Sequence, residues 1–230
     1  TGVGKSTRTE DVIQAFKVEL AVSRAEVATG VIVGQKKVPT YLVEASTRFL
    51  TLDWRAEATY AYGDNAQHIN VNTFNIFNPV TYQLRDQHVF KGVLSFGRSF
   101  EVLDVADRLS VNVEYFYNGA GYSENVFAQN AAVKAYFVQN GLYRPNYYGQ
   151  HYVGLFTTFA RFIFTELTLG LNGFANLSDK TMVFSQLFTY NPLFNFTLTW
   201  QNNVFTGASA GEYMVSGLGW YSEVSARVIF

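Results

Sequence analysis

The sequence predicts an all-β protein, a transmembrane antiparallel up-and-down β-barrel of about 10–12 strands. Two observations carry the prediction. Apolar and polar residues alternate with a period of two in segment after segment, separated by turn-forming stretches. In those segments the aromatic residues collect on one face and the ionised residues on the other.

Composition sets the bounds. Of 230 residues 48% are hydrophobic and 15% charged, which excludes disorder, and 17% are aromatic, including 15 Tyr and 21 Phe. Seventeen Lys and Arg against 18 Asp and Glu leave a net charge of −1, so no overall bias toward nucleic acid is expected. With no cysteine, thiol nucleophiles, disulfides and thiolate metal sites are excluded. The first residues lack the basic region, apolar core and small-residue cleavage site of a secretory signal, so an export signal is expected to have been removed or to lie upstream.

Residues 1–10 read as a polar segment or linker remnant and 11–230 as the barrel, either whole or the C-terminal part of a larger one. Thr9 to Val22 has a helical reading with Val12, Phe16 and Leu20 spaced by four, but five of six even positions from Val12 are apolar, which favours a strand with Lys17 and Glu19 opposite. Residues 24–50 are ambiguous. Near Phe49 and Leu50 the apolar set Tyr41, Val43, Ala45 and Phe49 gives way to even-numbered positions, and a β-bulge would reset the faces there.

From Leu52 to Tyr62 the apolar face carries Leu52, Trp54, Ala56, Ala58, Tyr60 and Tyr62, and Asp53, Arg55, Glu57 and Thr59 oppose it. Phe90 to Phe96 sets Lys91 and Ser95 opposite. From Leu109 to Asn118, Val111, Val113, Tyr115 and Tyr117 alternate with Ser110, Asn112, Glu114 and Phe116. Tyr147 to Phe159 and Met182 to Tyr190 read as strands of unassigned face, and Leu167 to Gly173 sets Glu166, Thr168 and Asn172 opposite. The uncharged run Thr181 to Gly211 includes Lys-free sequence long enough for a spanning helix, yet Asn191-Pro192 breaks it, and Phe194, Phe196, Leu198 and Trp200 alternate with Asn195, Thr197, Thr199 and Gln201. The last strand places Val224, Ala226, Val228 and Phe230 against Glu223, Ser225, Arg227 and Ile229.

A soluble antiparallel sandwich alternates as well. The aromatics decide between them: Trp54, Tyr60, Tyr62, Tyr115, Tyr117, Trp200 and Phe230 sit near strand ends, as membrane-interface girdles do. Lys17, Glu19, Asp53, Arg55, Glu57, Lys91, Glu114, Glu166, Glu223 and Arg227 would then line a hydrated lumen, since each charge on a lipid face costs up to about 2–4 kcal/mol near the midplane.

On these residues the chain resembles the Gram-negative bacterial outer-membrane β-barrel class, porin-like, with no specific family within it. The terminal strand is the most specific part: Val224, Ala226, Val228 and Phe230 look like the C-terminal signal read by the barrel-assembly machinery. The resemblance implies location in the bacterial outer membrane, contact with its lipid, and a C-terminus on the periplasmic side. Counting back from that end makes Asn191-Pro192 and the residues around Arg161 short periplasmic turns and puts 203–214, 119–146 and 63–86 outside. Segment 119–146, with a helix-compatible run from Glu124 to Gln139, is a candidate constriction or lid, or equally a disordered surface loop.

The expected function is a channel passing small polar solutes through a narrow charged lumen, with no cofactor. The alternative is a structural or partner-binding barrel whose mixed charges pair into a plug, with other subunits as possible partners. Gly4-Lys5-Ser6 matches only the end of a P-loop, with no preceding strand and no βα alternation after it. Catalysis is not expected: His68, His88 and His151 are the neutral-pH bases, and His151 would need a serine on a neighbouring strand. Arg55 between Asp53 and Glu57 favours an ion-pair network over an acid/base dyad, and no metal-ligand spacing is present in the sequence.

Overall fold

A computed structural model describes residues 12–229 apart from 76, 141 and 142. The polar segment 1–10, with its Gly4-Lys5-Ser6, and Phe230 lie outside the described residues.

Eleven strands form one antiparallel sheet in which each strand neighbours the next one along the chain. They are β1 (Ile13–Val22), β2 (Ala25–Gly34), β3 (Thr40–Phe49), β4 (Leu52–Tyr62), β7 (His88–Val102), β8 (Val105–Asn118), β9 (His151–Phe159), β10 (Leu167–Asn176), β11 (Thr181–Leu193), β12 (Phe196–Gly207) and β13 (Trp220–Val228). Between β4 and β7 lies a small hairpin of β5 (His68–Ile69) and β6 (Thr81–Tyr82), and between β8 and β9 two helices, α1 (Val126–Gln129) and α2 (Ala131–Gln139). The all-β, up-and-down architecture and the strand number agree with the sequence reading, as does the strand over Ile13–Val22. No helix among the described residues is long and apolar enough to cross a membrane, and the uncharged run from Thr181 is the hairpin of β11 and β12.

The two-residue turns 23–24, 50–51, 103–104 and 194–195 all lie at one end of the sheet and the long connections 63–87, 119–150 and 208–219 at the other. At Leu50 and Thr51 φ is 50° and 66°, and at Leu103 and Asp104 it is 54° and 57°, positive at both central residues of each two-residue turn. The parity change near Phe49 therefore comes from a turn and not from the expected β-bulge: Phe49 pairs with Leu52 across it, and both side chains stay on one face. Asn191-Pro192 is likewise not the turn but an irregularity inside β11, where the register shifts between Tyr190 and Leu193; proline has no amide hydrogen to give to the ladder there. The turn is at Phe194 and Asn195.

Register fixes the faces. Cross-strand partners share a face, so Tyr41 with Tyr60, Trp54 with Phe96, Val113 with Leu155, and Phe188 with Trp200 define an apolar face. Glu44 with Glu57, Arg48 with Asp53, and Ser95 with Glu114 define a polar one. The apolar face is open: Phe16, Val18, Leu20, Phe90, Leu155, Leu171, Phe184, Trp200 and Val224 are all exposed.

Because eleven is odd, β1 and β13 run in the same direction. They form no ladder with each other, and the side chains of β1 are exposed on both faces. The described sheet thus has two free edges.

Candidate functional site: a polar face under a packed cap

The strands from β1 to β8 give their polar face an ionic character. Lys17 Nζ donates to Glu44 Oε2 at 2.6 Å and lies 3.8 Å from Glu19. Arg48 grips Asp53 with two donors, at 2.6 and 2.8 Å. Glu114 accepts from Asn112 Nδ2 at 2.8 Å. Arg55 and Glu57 make no side-chain hydrogen bond or ion pair within 4 Å among the described residues, Glu57 acting on Lys17 only at longer range. Six consecutive sheet strands line one cleft of about 630 Å³ on this face, through Ala21, Glu26, Ser46, Arg55, Ser95 and Glu114.

From β8 to β10 the same face turns aromatic. Phe116 stacks on Tyr152 with centroids 5.7 Å apart, Tyr152 on Phe174 at 5.8 Å, and Tyr213 meets Phe174 edge-on at 6.3 Å. Gly154 makes this possible, since a Cβ there would lie 2.7 Å from the Phe156 ring and 3.0 Å from that of Phe174.

The three long connections fold together into a cap at the loop end. Ile69, Val126, Phe127, Val133, Phe137, Tyr148 and Val215 form its buried core, drawn from all three. Phe127 meets Tyr148 at 5.0 Å and Phe137 at 5.9 Å, both edge-on. Asn125 and Asn130 cap α1 and α2 through bonds to Ala128 N and Ala132 N. Apart from residues 141 and 142, segment 119–146 is folded rather than disordered, with two helices inside the helix-compatible run.

Two carboxylates latch the cap to the wall. Glu212, buried in a short 3₁₀ turn, accepts from Tyr147 N at 3.0 Å, the Tyr152 hydroxyl at 2.8 Å and Asn176 Nδ2 at 2.7 Å. Burial pushes its carboxyl above the usual range against the pull of these donors. Its amide donates to Asp179 Oδ2, whose other oxygen accepts from Thr181. On the opposite side Asp64 sits 3.4 Å from Lys91 Nζ and 3.6 Å from His68 Nε2. Burial alone would raise the Asp64 carboxyl, but His68 and Lys91 outweigh it and bring it to about 2. Lys91 also lies 5.1 Å from the ring centre of Tyr147, whose hydroxyl is pushed up to about 12 by burial and by Asp64.

These shifts have opposite signs. The depressed Asp64 contributes stability that is present above its unfolded value near 4 and is lost as pH falls toward about 2. The raised Glu212 favours the protonated folded form, so its contribution is present at low pH and lost as pH rises through its elevated value. Hydrogen-exchange protection of 208–219, normalised for intrinsic rates, is expected to peak at mildly acidic pH. Glu212→Gln should remove the decline on the alkaline side and Asp64→Asn the decline in acid; a flat profile in the unsubstituted protein contradicts this.

Most of the expected lumen set shares the polar face: Lys17, Glu19, Asp53, Arg55, Glu57, Lys91, Glu114, Glu223 and Arg227. Glu166 does not. It lies exposed in the connection before β10, its carbonyl accepting from Asn191 N. Glu26, Glu44 and Arg48 join the face from the stretch whose strands were ambiguous, and Glu212 and Asp64 come from connections without periodicity. Trp54, Tyr60, Tyr62, Tyr115, Tyr117 and Trp200 share the apolar face, as do Val224, Ala226 and Val228 of β13. The His151 imidazole meets the Tyr115 hydroxyl, and Ser178 Oγ accepts the backbone amides of Gln150 and His151.

No protein-family model, curated protein or solved structure matches this chain.

Proposed function

We propose that the chain forms the wall of a porin-like channel of the bacterial outer membrane, passing small polar solutes along the ionic face of the sheet. The observation that carries this reading is the exposed apolar face. It is too extensive for a soluble surface, and aromatics mark both its ends. Tyr41, Tyr60, Tyr62, Phe90, Tyr115 and Tyr117 collect toward the loop end. Trp54 with Phe96, and Phe188 with Trp200, collect toward the turn end. Tyr62 and Trp54 are eight residues apart on β4, about 26 Å along a strand and roughly 20 Å along the axis of a barrel tilted by about 40°. That separation suits the apolar band of an outer-membrane barrel.

In this reading the apolar face meets lipid, the tight turns and C-terminus face the periplasm, the cap narrows the outer mouth, and β13 is the strand offered to the barrel-assembly machinery. Step conductance in planar bilayers is the test, and folded protein that gives none contradicts the channel. Lys91 is engaged with Asp64 beneath the cap, so Arg55, which lines the cleft with no ion pair among the described residues, is a cation that contributes to selectivity. Arg55→Gln is expected to shift the reversal potential toward cations, and an unchanged potential contradicts its place on the path.

A second reading, a wall completed by other strands as part of a larger pore or complex, is favoured by the free edges. In lipid an open ladder leaves amides and carbonyls unsatisfied at several kcal/mol each. With β1 and β13 running the same way, antiparallel closure needs an odd number of further strands, from the same polypeptide or from another subunit. With no native cysteine among the described residues, a cysteine pair at Val18 and Val224 reports directly: an intrachain disulfide would show the edges meeting and contradict this second reading.

A further inference from the structure

One constellation occurs twice on the apolar face, at the loop end. On β4, Tyr60 and Tyr62 flank Ala61, and His88 of β7 pairs with Tyr62. The Tyr60 hydroxyl lies 2.7 Å from His88 Nδ1, with the two rings stacked at 27°. On β8, Tyr115 and Tyr117 flank Phe116, and His151 of β9 pairs with Tyr117. The Tyr115 hydroxyl again lies 2.7 Å from Nδ1 of the histidine, with the rings at 28°. In each case the second tyrosine, Tyr62 or Tyr117, closes on the imidazole at 5.1 or 5.4 Å. The histidines stand on alternate strands, and since His151 is level with Gly92, four residues along β7 from His88, they lie about 16 Å apart by strand spacing and rise.

The chemistry of each pair is fixed by that hydrogen bond. If the tyrosine donates to Nδ1, the imidazole carries its proton on Nε2 and presents it outward. If Nδ1 donates, the tyrosine hydroxyl keeps its own hydrogen for an outside acceptor. Either arrangement leaves one donor on an aromatic ledge, and a phosphomonoester, with three terminal oxygens, offers such donors more acceptors than a phosphodiester. At this height on a lipid-facing wall the acceptors within reach are headgroup oxygens.

We propose that the Tyr60–His88 and Tyr115–His151 pairs are two binding sites for a phosphomonoester, carried by an outer-leaflet lipid headgroup. The inference rests on the membrane reading above and adds a ligand to it. Native mass spectrometry of the detergent-solubilised chain, offered equal amounts of phosphatidic acid and phosphatidylcholine with identical acyl chains, tests it. About tenfold greater retention of phosphatidic acid is expected. The preference should vanish in a His88→Gln, His151→Gln double variant and weaken in Tyr60→Phe, Tyr115→Phe, which keeps the rings and removes the hydroxyls that orient them. Resistance to millimolar inorganic phosphate assigns the sites to lipid, whereas displacement by it overturns the lipid assignment in favour of free phosphate. No preference in the unsubstituted protein, or a preference that survives the histidine changes, overturns the proposal altogether. Tryptophan quenching by brominated acyl chains reports membrane insertion separately, so the two readings fail independently.

Discussion

Phe127→Ala is expected to unlatch the cap. Phe127 is 1% exposed, and its neighbours Phe137, Tyr143 and Tyr148 come from α2 and from the stretch leading into β9, so the vacated space has few ways to collapse. A change of this kind in a packed core costs about 3–5 kcal/mol. The cap core is made of connection residues while the strands are held by their own ladders, so the loss should appear as local opening with the sheet intact. Hydrogen exchange should accelerate across 119–150 and 208–219 and not in β7 to β12. In planar bilayers the same variant should conduct more than the unsubstituted chain if the cap narrows the mouth. Exchange that stays slow in both connections contradicts the packing; faster exchange with unchanged conductance contradicts the cap's place on the path.

Leu155→Arg is expected to cost about 2–4 kcal/mol and to impair membrane assembly. On a soluble protein this substitution would be nearly silent, because Leu155 is 45% exposed and exposed positions usually change stability by no more than about 0.5 kcal/mol. Here its cross-strand neighbours are Val113 and Gly173, midway between the aromatic ends of the apolar face, where on the proposed membrane reading a guanidinium would meet acyl chains. Ser225→Lys places a charge on the polar face of β13, next to Thr199, and should assemble normally. The contrast between the variants is the informative quantity, and equal behaviour contradicts the assignment of faces.

What the sequence made legible was the part with strict periodicity. β4, β8 from Leu109 to Tyr115 and β13 from Glu223 alternate strictly, so their faces could be read residue by residue. The long connections showed as breaks in that rhythm. The β2–β3 hairpin was hidden because small residues such as Ala28 and Gly30 occupy its polar face and blur the contrast. A two-residue turn flips parity just as a bulge does, and Leu50 and Thr51 carry none of the usual signs of a turn with two positive φ angles. The cap was out of reach for a different reason. Ile69 meets Tyr122, and Tyr147 meets Glu212, across 53 and 65 residues, and no local pattern encodes such pairs. Glu212 stood out in no motif; only its burial with three donors around it marks it.

The central claim, that the aromatic face meets acyl chains while the ionic face meets water, has natural reporters in the three tryptophans, Trp54, Trp200 and Trp220. Pairing of Trp54 with Phe96, Trp200 with Val224 and Trp220 with Val204 puts all three on the apolar face. In vesicles of acyl-brominated lipid their fluorescence should be strongly quenched, with aqueous iodide having little effect. Efficient quenching by iodide with none by brominated chains, from protein that stays dispersed without detergent, would contradict the account.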